Sequence, residues 1–262
     1  MKKQMIANGI KLAYQEAGSG APVLLLHGFC GSSAYWEEVI PLLGQHYRVI
    51  APDLRGHGDS DAPDGEFYGM EQFAEDLLAL LDQLKLDQVS LFGHSLGGYI
   101  TLAFAEKYPK RLRAFGLIHS TAYPDDEQGK AGRDKAVQTI EQQGMEPFID
   151  GLIPRLFAPE HVQTMPDAVE QAKQIGFATP AEGAIRTAKG MKHRIDRNHV
   201  LRSAHTPVLL LAGEQDQIIS RQKSFSVASP HIRQVLLTAV GHMSMYEAPE
   251  KLTEELATFL AE

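Results

Sequence analysis

The stretch LFGHSLGGY, residues 91–99, decides the fold of this chain. Its first residues end an apolar run and its last residues begin a long apolar segment, so the context predicts a strand, a sharp turn and a helix. Glycines on both sides of Ser95 let the turn pass close to neighbouring elements, and a residue in so tight a turn often has a positive φ. The turn would present the Ser95 hydroxyl at the N-terminus of the helix, where free amides favour developing negative charge.

Other apolar runs predict the remainder of an open, doubly wound α/β sheet. Two segments that flank Asn8-Gly9 predict a hairpin, because Asn-Gly tolerates the positive φ angles of a type I′ turn. Six later runs lack strict alternation, as expected of parallel strands buried on both faces. These runs are Val23–Leu26, Tyr47–Ala51, Val89–Phe92, Phe115–Ile118, Val208–Ala212 and Gln234–Thr238. Helical spacing of apolar residues appears from Phe73 to Leu84 and from Leu252 to Leu260.

The alternation of strand and helix stops between Tyr123 and Leu201. Apolar residues recur at helical spacing in this segment, and six prolines interrupt it. We predict a helical cap (lid) over residues 123–201, inserted in a core formed by residues 1–122 and 202–262. An insertion that leaves the carboxyl end of a strand would cover the end at which ligands bind in open α/β sheets.

Composition restricts the compartment and the partners. The formal net charge of −8 argues against a nucleic-acid partner or an anionic membrane surface. Cys30 is the single cysteine, no secretory signal follows Lys2 and Lys3, and no apolar run approaches the length of a membrane span, so we expect a cytoplasmic protein. The eleven histidines match no metal-binding template, and we predict no metal and no cofactor.

The predicted strand ends carry the groups that a serine nucleophile requires, namely a base, an acid and oxyanion donors. His242 follows the last strand and could reach Ser95 across the end of the sheet. Asp216 follows the preceding strand and could orient His242. The alternatives for the acid are Glu214, Asp53, Asp59 and Asp196.

His94 adjoins Ser95, but we reject it as the base because adjacent residues in a tight turn point apart. His27 and His57 are expected to hold loops by hydrogen bonds, and the segment Asp53–Ser60 is expected to form a rigid, internally bonded loop with a structural role. The Gly-rich turn after Val23–Leu26 could aim the Phe29 backbone N–H at a carbonyl oxygen, together with the N–H of Leu96. The side chains or backbone expected to contact substrate are those of Gly28, His94, Met243, Phe148 and Phe157.

The motifs LLLHGF, APDLRGHGDSD, LFGHSLGGY, VLLLAGEQD and VGHMSMYEAP occur in this order from residue 24 to residue 249. Together they resemble the α/β-hydrolase superfamily, and the chain order Ser95, Asp216, His242 is the order of that family. The resemblance implies an eight-stranded, mostly parallel sheet flanked by helices, with a helical cap inserted after the sixth strand. It also implies that Ser95 is the nucleophile, His242 the base and Asp216 the acid, with an oxyanion hole at Phe29 and Leu96.

Within that superfamily the chain looks like a small bacterial carboxylesterase that acts on a small-molecule ester of short to medium acyl chain. Ser95 argues against haloalkane dehalogenases and epoxide hydrolases, which resemble the chain but carry an aspartate nucleophile. Enol-lactone hydrolases, cofactor-free haloperoxidases (perhydrolases) and C–C bond hydrolases with the same triad remain alternatives. A ligand sensor on the same fold is a further alternative, which turnover of a short nitrophenyl ester would exclude.

Overall fold

The computed structural model describes residues 2–262 and contains one eight-stranded sheet. The strand order is β1-β2-β4-β3-β5-β6-β7-β8. Strand β2 is antiparallel to both of its neighbours, β1 and β4, and strands β3 to β8 are parallel to one another. The mostly parallel sheet predicted from the sequence is thereby confirmed. The strands are β1 Lys2–Ala7, β2 Ile10–Ala17, β3 Pro22–Leu26, β4 Arg48–Pro52, β5 Val89–His94, β6 Leu112–Ile118, β7 Val208–Gly213 and β8 Ile232–Leu237.

Each predicted strand corresponds to an observed one, and the differences lie at the ends. The hairpin turn has φ angles of 50° at Asn8 and 76° at Gly9, as a type I′ turn requires. Strand β6 begins at Leu112, three residues before the predicted start at Phe115. The prediction began late because the exposed Arg113 interrupts the apolar run that marks this strand.

Twelve α-helices accompany the sheet in the part of the chain that the structure describes. They are α1 Val39–Leu43, α2 Met70–Gln83, α3 Leu96–Lys107, α4 Glu127–Gln143, α5 Met145–Leu152, α6 His161–Thr164, α7 Pro166–Phe177, α8 Ala181–Lys192, α9 Asn198–Ser203, α10 Arg221–Ser224, α11 Ser244–Glu247 and α12 Pro249–Ala261. Helices α2 and α12 confirm the two helices predicted from apolar spacing. Proline in the first turn suits the start of α12, because that position has no intrahelical acceptor for an N–H.

The hydrophobic core lies on both faces of the sheet. In β3, Val23 and Leu25 pack into one cluster of buried side chains and Leu24 and Leu26 into another, and all four are fully buried. Helices cover both faces of the sheet, so neither face of β3 is exposed to solvent. This explains why the strand sequences lack a polar–apolar alternation.

Helices α4 to α9 lie between β6 and β7, and no strand interrupts them within residues 119–207. The helical cap after the sixth strand is therefore present as predicted. The predicted resumption of the core at residue 202 falls inside α9, so the exact cap borders stay a prediction. No helix among residues 2–262 has the length and apolar character needed to cross a membrane.

Candidate active site

Ser95 occupies a strained turn between β5 and α3, with φ 51° and ψ −111°. Its backbone N–H donates to the carbonyl of Ile118 at 3.0 Å, which fixes the turn against the end of β6. A Cβ atom on Gly93 would lie 2.1 Å from the carbonyl of Gly97, and one on Gly97 would lie 2.7 Å from the carbonyl of Leu26. Only glycine fits at both positions, and the close approach leaves the Ser95 side chain half-buried at the carboxyl end of the sheet.

His242 and Asp216 form a buried pair beside this turn. Nδ1 of His242 lies 2.7 Å from Oδ2 of Asp216, while Oδ1 of Asp216 accepts the backbone N–H groups of Ile218 and Ile219. Burial by itself would raise the pKa of Asp216, but the attraction of His242 and the hydrogen bond between them outweigh burial and lower that pKa well below its usual range. The carboxylate is therefore ionised. Because it faces Nδ1 of His242, Nε2 lies on the far side of the imidazole ring.

The alternative acids have other partners. Glu214 accepts the backbone N–H of Ala239 at the surface, and Asp196 accepts that of Asn198 at the start of α9. Asp53 is buried and accepts the backbone N–H groups of Ser33 and Asp59. In the described residues only Asp216 among these candidates hydrogen-bonds to His242.

The other histidines near the site hold the backbone. Nε2 of His94 lies 2.8 Å from the carbonyl oxygen of His242, and Nε2 of His27 accepts the N–H of Leu54. Nδ1 of His57 lies 3.0 Å from the carbonyl of Arg55. Burial lowers the pKa of His27 to about 4 and that of His57 to about 3, and it lowers the pKa of His94 well below the usual value. These imidazoles are therefore neutral at pH 7.

The backbone N–H groups of Phe29 and Leu96 have no hydrogen-bond acceptor within residues 2–262. Leu96 is the first residue of α3, where an N–H has no intrahelical partner, and the helix dipole places positive charge there. Phe29 follows a turn in which Gly28 packs against His94, since a Cβ on Gly28 would lie 2.7 Å from Nδ1 of His94. Two free amides therefore occur on the two turns that adjoin Ser95.

An inner cavity of about 60 Å³ lies at Ser95 and His242, and an outer cavity of about 310 Å³ adjoins it under the cap. The two share the side chains of Phe29, Tyr99, Arg133, Leu152 and Ile218. Tyr35, His94, Leu156 and Met191 complete the inner lining.

Of the residues expected to contact substrate, His94 lines the inner cavity and Phe148 lines the outer one, where its ring meets that of Phe29 edge to face. Gly28, Met243 and Phe157 line neither cavity. Met243 and Phe157 are fully buried in the core, so the structure places them behind the site rather than in its wall.

The loop of His242 is clamped to the cap, which sequence reasoning missed. The His242 N–H donates to the carbonyl of Leu156 at 2.7 Å. The fully buried carboxylate of Glu247 accepts the N–H groups of Gly241 and Met243, on either side of His242, and that of Ala158 in the cap. Glu247 lies within the VGHMSMYEAP motif, but the sequence does not distinguish a buried glutamate in a helix from an exposed one. The position of Arg133 beside the cavities could not be predicted for the same reason, since a charged residue in the polar helix α4 is expected to face solvent.

His119, Asp216 and His242 place ligand-type atoms within 4.8 Å of one another, a geometry that could hold a metal ion. Nδ1 of His119, however, accepts the backbone N–H of Gly213, and Oδ2 of Asp216 faces Nδ1 of His242. The atoms that would bind a metal are engaged in protein hydrogen bonds, so the arrangement suits orientation of His242 better than metal binding.

A protein-family model described as alpha/beta hydrolase fold matches residues 21–249. A malate-bound thermophilic esterase from Thermogutta terrifontis superposes with a TM-score of 0.94 and 32% identity, over 100% of this chain and 98% of the other. The enol-lactonase of Burkholderia xenovorans LB400 superposes with a TM-score of 0.91 and 25% identity, over 99% and 100%.

Among curated sequences, 2-hydroxy-6-oxo-2,4-heptadienoate hydrolase of Pseudomonas putida is 42% identical over 119 residues, which are 44% of this chain and 43% of that relative. The chain thus spans less than half the length of this relative.

Proposed function

The chain belongs to the alpha/beta hydrolase family, and from this premise we propose that it is a serine hydrolase of carboxylic esters with a short to medium acyl chain. The observation that carries the proposal is the convergence on one cavity of Ser95, of His242 paired with an ionised Asp216, and of the turns that bear two free amides.

In the proposed reaction the Ser95 hydroxyl attacks the ester carbonyl carbon while Nε2 of His242 takes its proton. The N–H groups of Phe29 and Leu96 bind the oxyanion of the tetrahedral intermediate. When the intermediate collapses, the bond to the alcohol breaks and His242 returns the proton to the leaving oxygen. Water then attacks the acyl-enzyme with His242 as base, which releases the acid and regenerates Ser95.

The arrangement of charge supports these roles. An ionised Asp216 holds the proton on Nδ1 of His242, which leaves Nε2 unprotonated and able to accept the Ser95 proton. The buried histidines nearby are neutral, so none of them repels the imidazolium that forms during turnover. The 32% identity to an esterase over the whole chain supports ester substrates.

Covalent labelling tests the proposal. A fluorophosphonate should modify Ser95 and abolish hydrolysis of 4-nitrophenyl acetate, with the site read from the labelled peptide by mass spectrometry. Ser95→Ala should be unlabelled and inactive, whereas Ser203→Ala, at an exposed hydroxyl in α9, should behave as the unaltered protein. Label on another serine, or turnover by Ser95→Ala, would remove the mechanism.

Lactone hydrolysis is the second candidate, with C–C bond hydrolysis beside it. The same triad can open a lactone, and the chain is similar to an enol-lactonase along its whole length. Its similarity to a 2-hydroxy-6-oxo-2,4-heptadienoate hydrolase covers 119 residues. A panel of matched esters, lactones and vinylogous diketo acids, each run with Ser95→Ala, separates the three by kcat/KM.

A further inference from the structure

The outer cavity is positively charged in an acidic protein. Its wall contains four cationic side chains, Arg133, Arg155, Arg194 and Lys223, and two carboxylates, Asp125 and Asp126. The wall therefore carries an excess of two positive charges, although the formal net charge of the chain is −8. Asp126 pairs with Lys223, so the excess belongs to the three arginines.

Asp125 is shared by two of these arginines, and only one of them is fully committed to the protein. Arg194 donates from Nε to the carbonyl of Tyr123, from Nη1 to that of Met191, and from Nη2 to Asp125, with its guanidinium over the Tyr99 ring. All three nitrogens of the Arg194 guanidinium group are therefore engaged with protein atoms at the base of the cap.

Arg133 donates from Nε to Asp125 at 3.0 Å and also interacts with the Tyr99 phenol. One carboxylate cannot neutralise two guanidinium groups, so a positive charge remains between Arg133 and Arg194. Arg133 lines both cavities, whereas Arg194 lines only the outer of the two. The side chain of Arg133 is 26% exposed, whereas that of Arg194 is 5% exposed.

We propose that Arg133 binds a carboxylate of the substrate, so that the preferred substrates are esters or lactones that carry a second, ionised carboxyl group. The inference rests on the proposed function, because it takes Ser95 as the point of attack. A guanidinium group is suited to carboxylates, since two parallel N–H groups can meet the two oxygens.

The size of the inner cavity limits the distance between the two groups of the substrate. A volume of 60 Å³ has room for about four water-sized groups between Ser95 and the residues that the two cavities share, Arg133 among them. The carboxylate should therefore be separated from the attacked carbonyl by about two to four carbons. A longer acyl chain would continue past Arg133 into the outer cavity, beside the apolar rings of Phe29 and Phe148.

The test compares 4-nitrophenyl hydrogen glutarate with 4-nitrophenyl methyl glutarate, which differ in the distal charge and one methyl group. The unaltered protein should have the higher kcat/KM on the anionic ester. Arg133→Gln should lower the ratio of the two kcat/KM values by about 10- to 100-fold, mainly through KM, because a charge-assisted pair is lost. Arg133→Lys should restore part of the ratio. Arg202→Gln, which removes the same charge from an exposed position of α9, should leave the ratio unchanged.

A preference of the unaltered protein for the neutral ester, or an equal loss on both esters in Arg133→Gln, would overturn the carboxylate site. If neither ester is cleaved and Ser95 is not labelled, the proposed function fails instead. In that case the binding of glutarate, measured by calorimetry, tests the carboxylate site independently of catalysis. Affinity that falls about 10-fold or more in Arg133→Gln supports it, and equal affinity in both proteins contradicts it. Should Arg133→Gln fail to fold, the ester preference of the unaltered protein and of the Arg133→Lys variant decides between the same two outcomes.

Discussion

Oε2 of Glu247 lies 2.7 Å from Nδ1 of His161, which joins a fully buried carboxylate of the core to the cap. The same carboxylate accepts the N–H groups of Gly241 and Met243 around His242. The position of the proposed base therefore depends on the cap as well as on the sheet.

Glu247→Gln should destabilise the protein and slow turnover. The amide keeps one acceptor oxygen but sets an NH₂ group against backbone N–H donors, so we expect the free energy of unfolding to fall by about 1–3 kcal/mol. Urea denaturation and ester hydrolysis measure the two effects. Glu250→Gln, at an exposed position in the first turn of α12, is the matched control. Equal stability of the two variants would show that the clamp contributes nothing.

Asp216→Asn should lower kcat by about 10⁴-fold while the fold persists. The amide oxygen can still accept from Ile218 and Ile219, but its NH₂ would face Nδ1 of His242 and favour the wrong tautomer. Glu214→Gln should have little effect, because Glu214 contacts a surface N–H. Circular dichroism checks the fold of both variants. A larger loss in Glu214→Gln would mean that Asp216 is not the acid.

Stability should fall as the pH drops from about 6.5 towards 4. Burial lowers the pKa of His27 to about 4 and that of His57 to about 3, so in this range the unfolded chain binds protons that the folded chain excludes. Each such histidine lowers the free energy of unfolding by about 1.4 kcal/mol per pH unit, and neither contributes above about pH 7.5.

Urea denaturation between pH 4.5 and 7.5 measures this slope. His57→Gln should reduce the slope by up to about 1.4 kcal/mol per pH unit, which corresponds to one bound proton. His46→Gln, at an exposed histidine, should leave the slope unchanged. An unchanged slope in His57→Gln would contradict the lowered pKa of that residue.

Removal of metal ions should leave hydrolysis intact. The candidate ligand atoms of His119, Asp216 and His242 are engaged in hydrogen bonds that orient the proposed base. Full activity after dialysis against EDTA is the expected result. Activity that is lost and then restored by a single divalent ion would reveal a metal site at these residues.

Local sequence determined the framework of this protein. Apolar runs located the central parallel strands because burial on both faces of the sheet demands continuous apolar residues. Asn8-Gly9 located the hairpin because few residue pairs adopt positive φ angles at both positions. The glycines around Ser95 marked the turn since close backbone contact admits no side chain there. These signals are local, so they can be read without knowledge of the rest of the chain.

The tertiary structure alone decided what surrounds the site. The burial of Glu247 under the cap and the position of Arg133 between the two cavities depend on residues from distant parts of the chain. A charged residue in a helix looks the same in the sequence whether it faces solvent or a cavity. Met243 and Phe157 show the converse, because an apolar residue suits the core as well as a pocket wall, and only packing assigned both to the core.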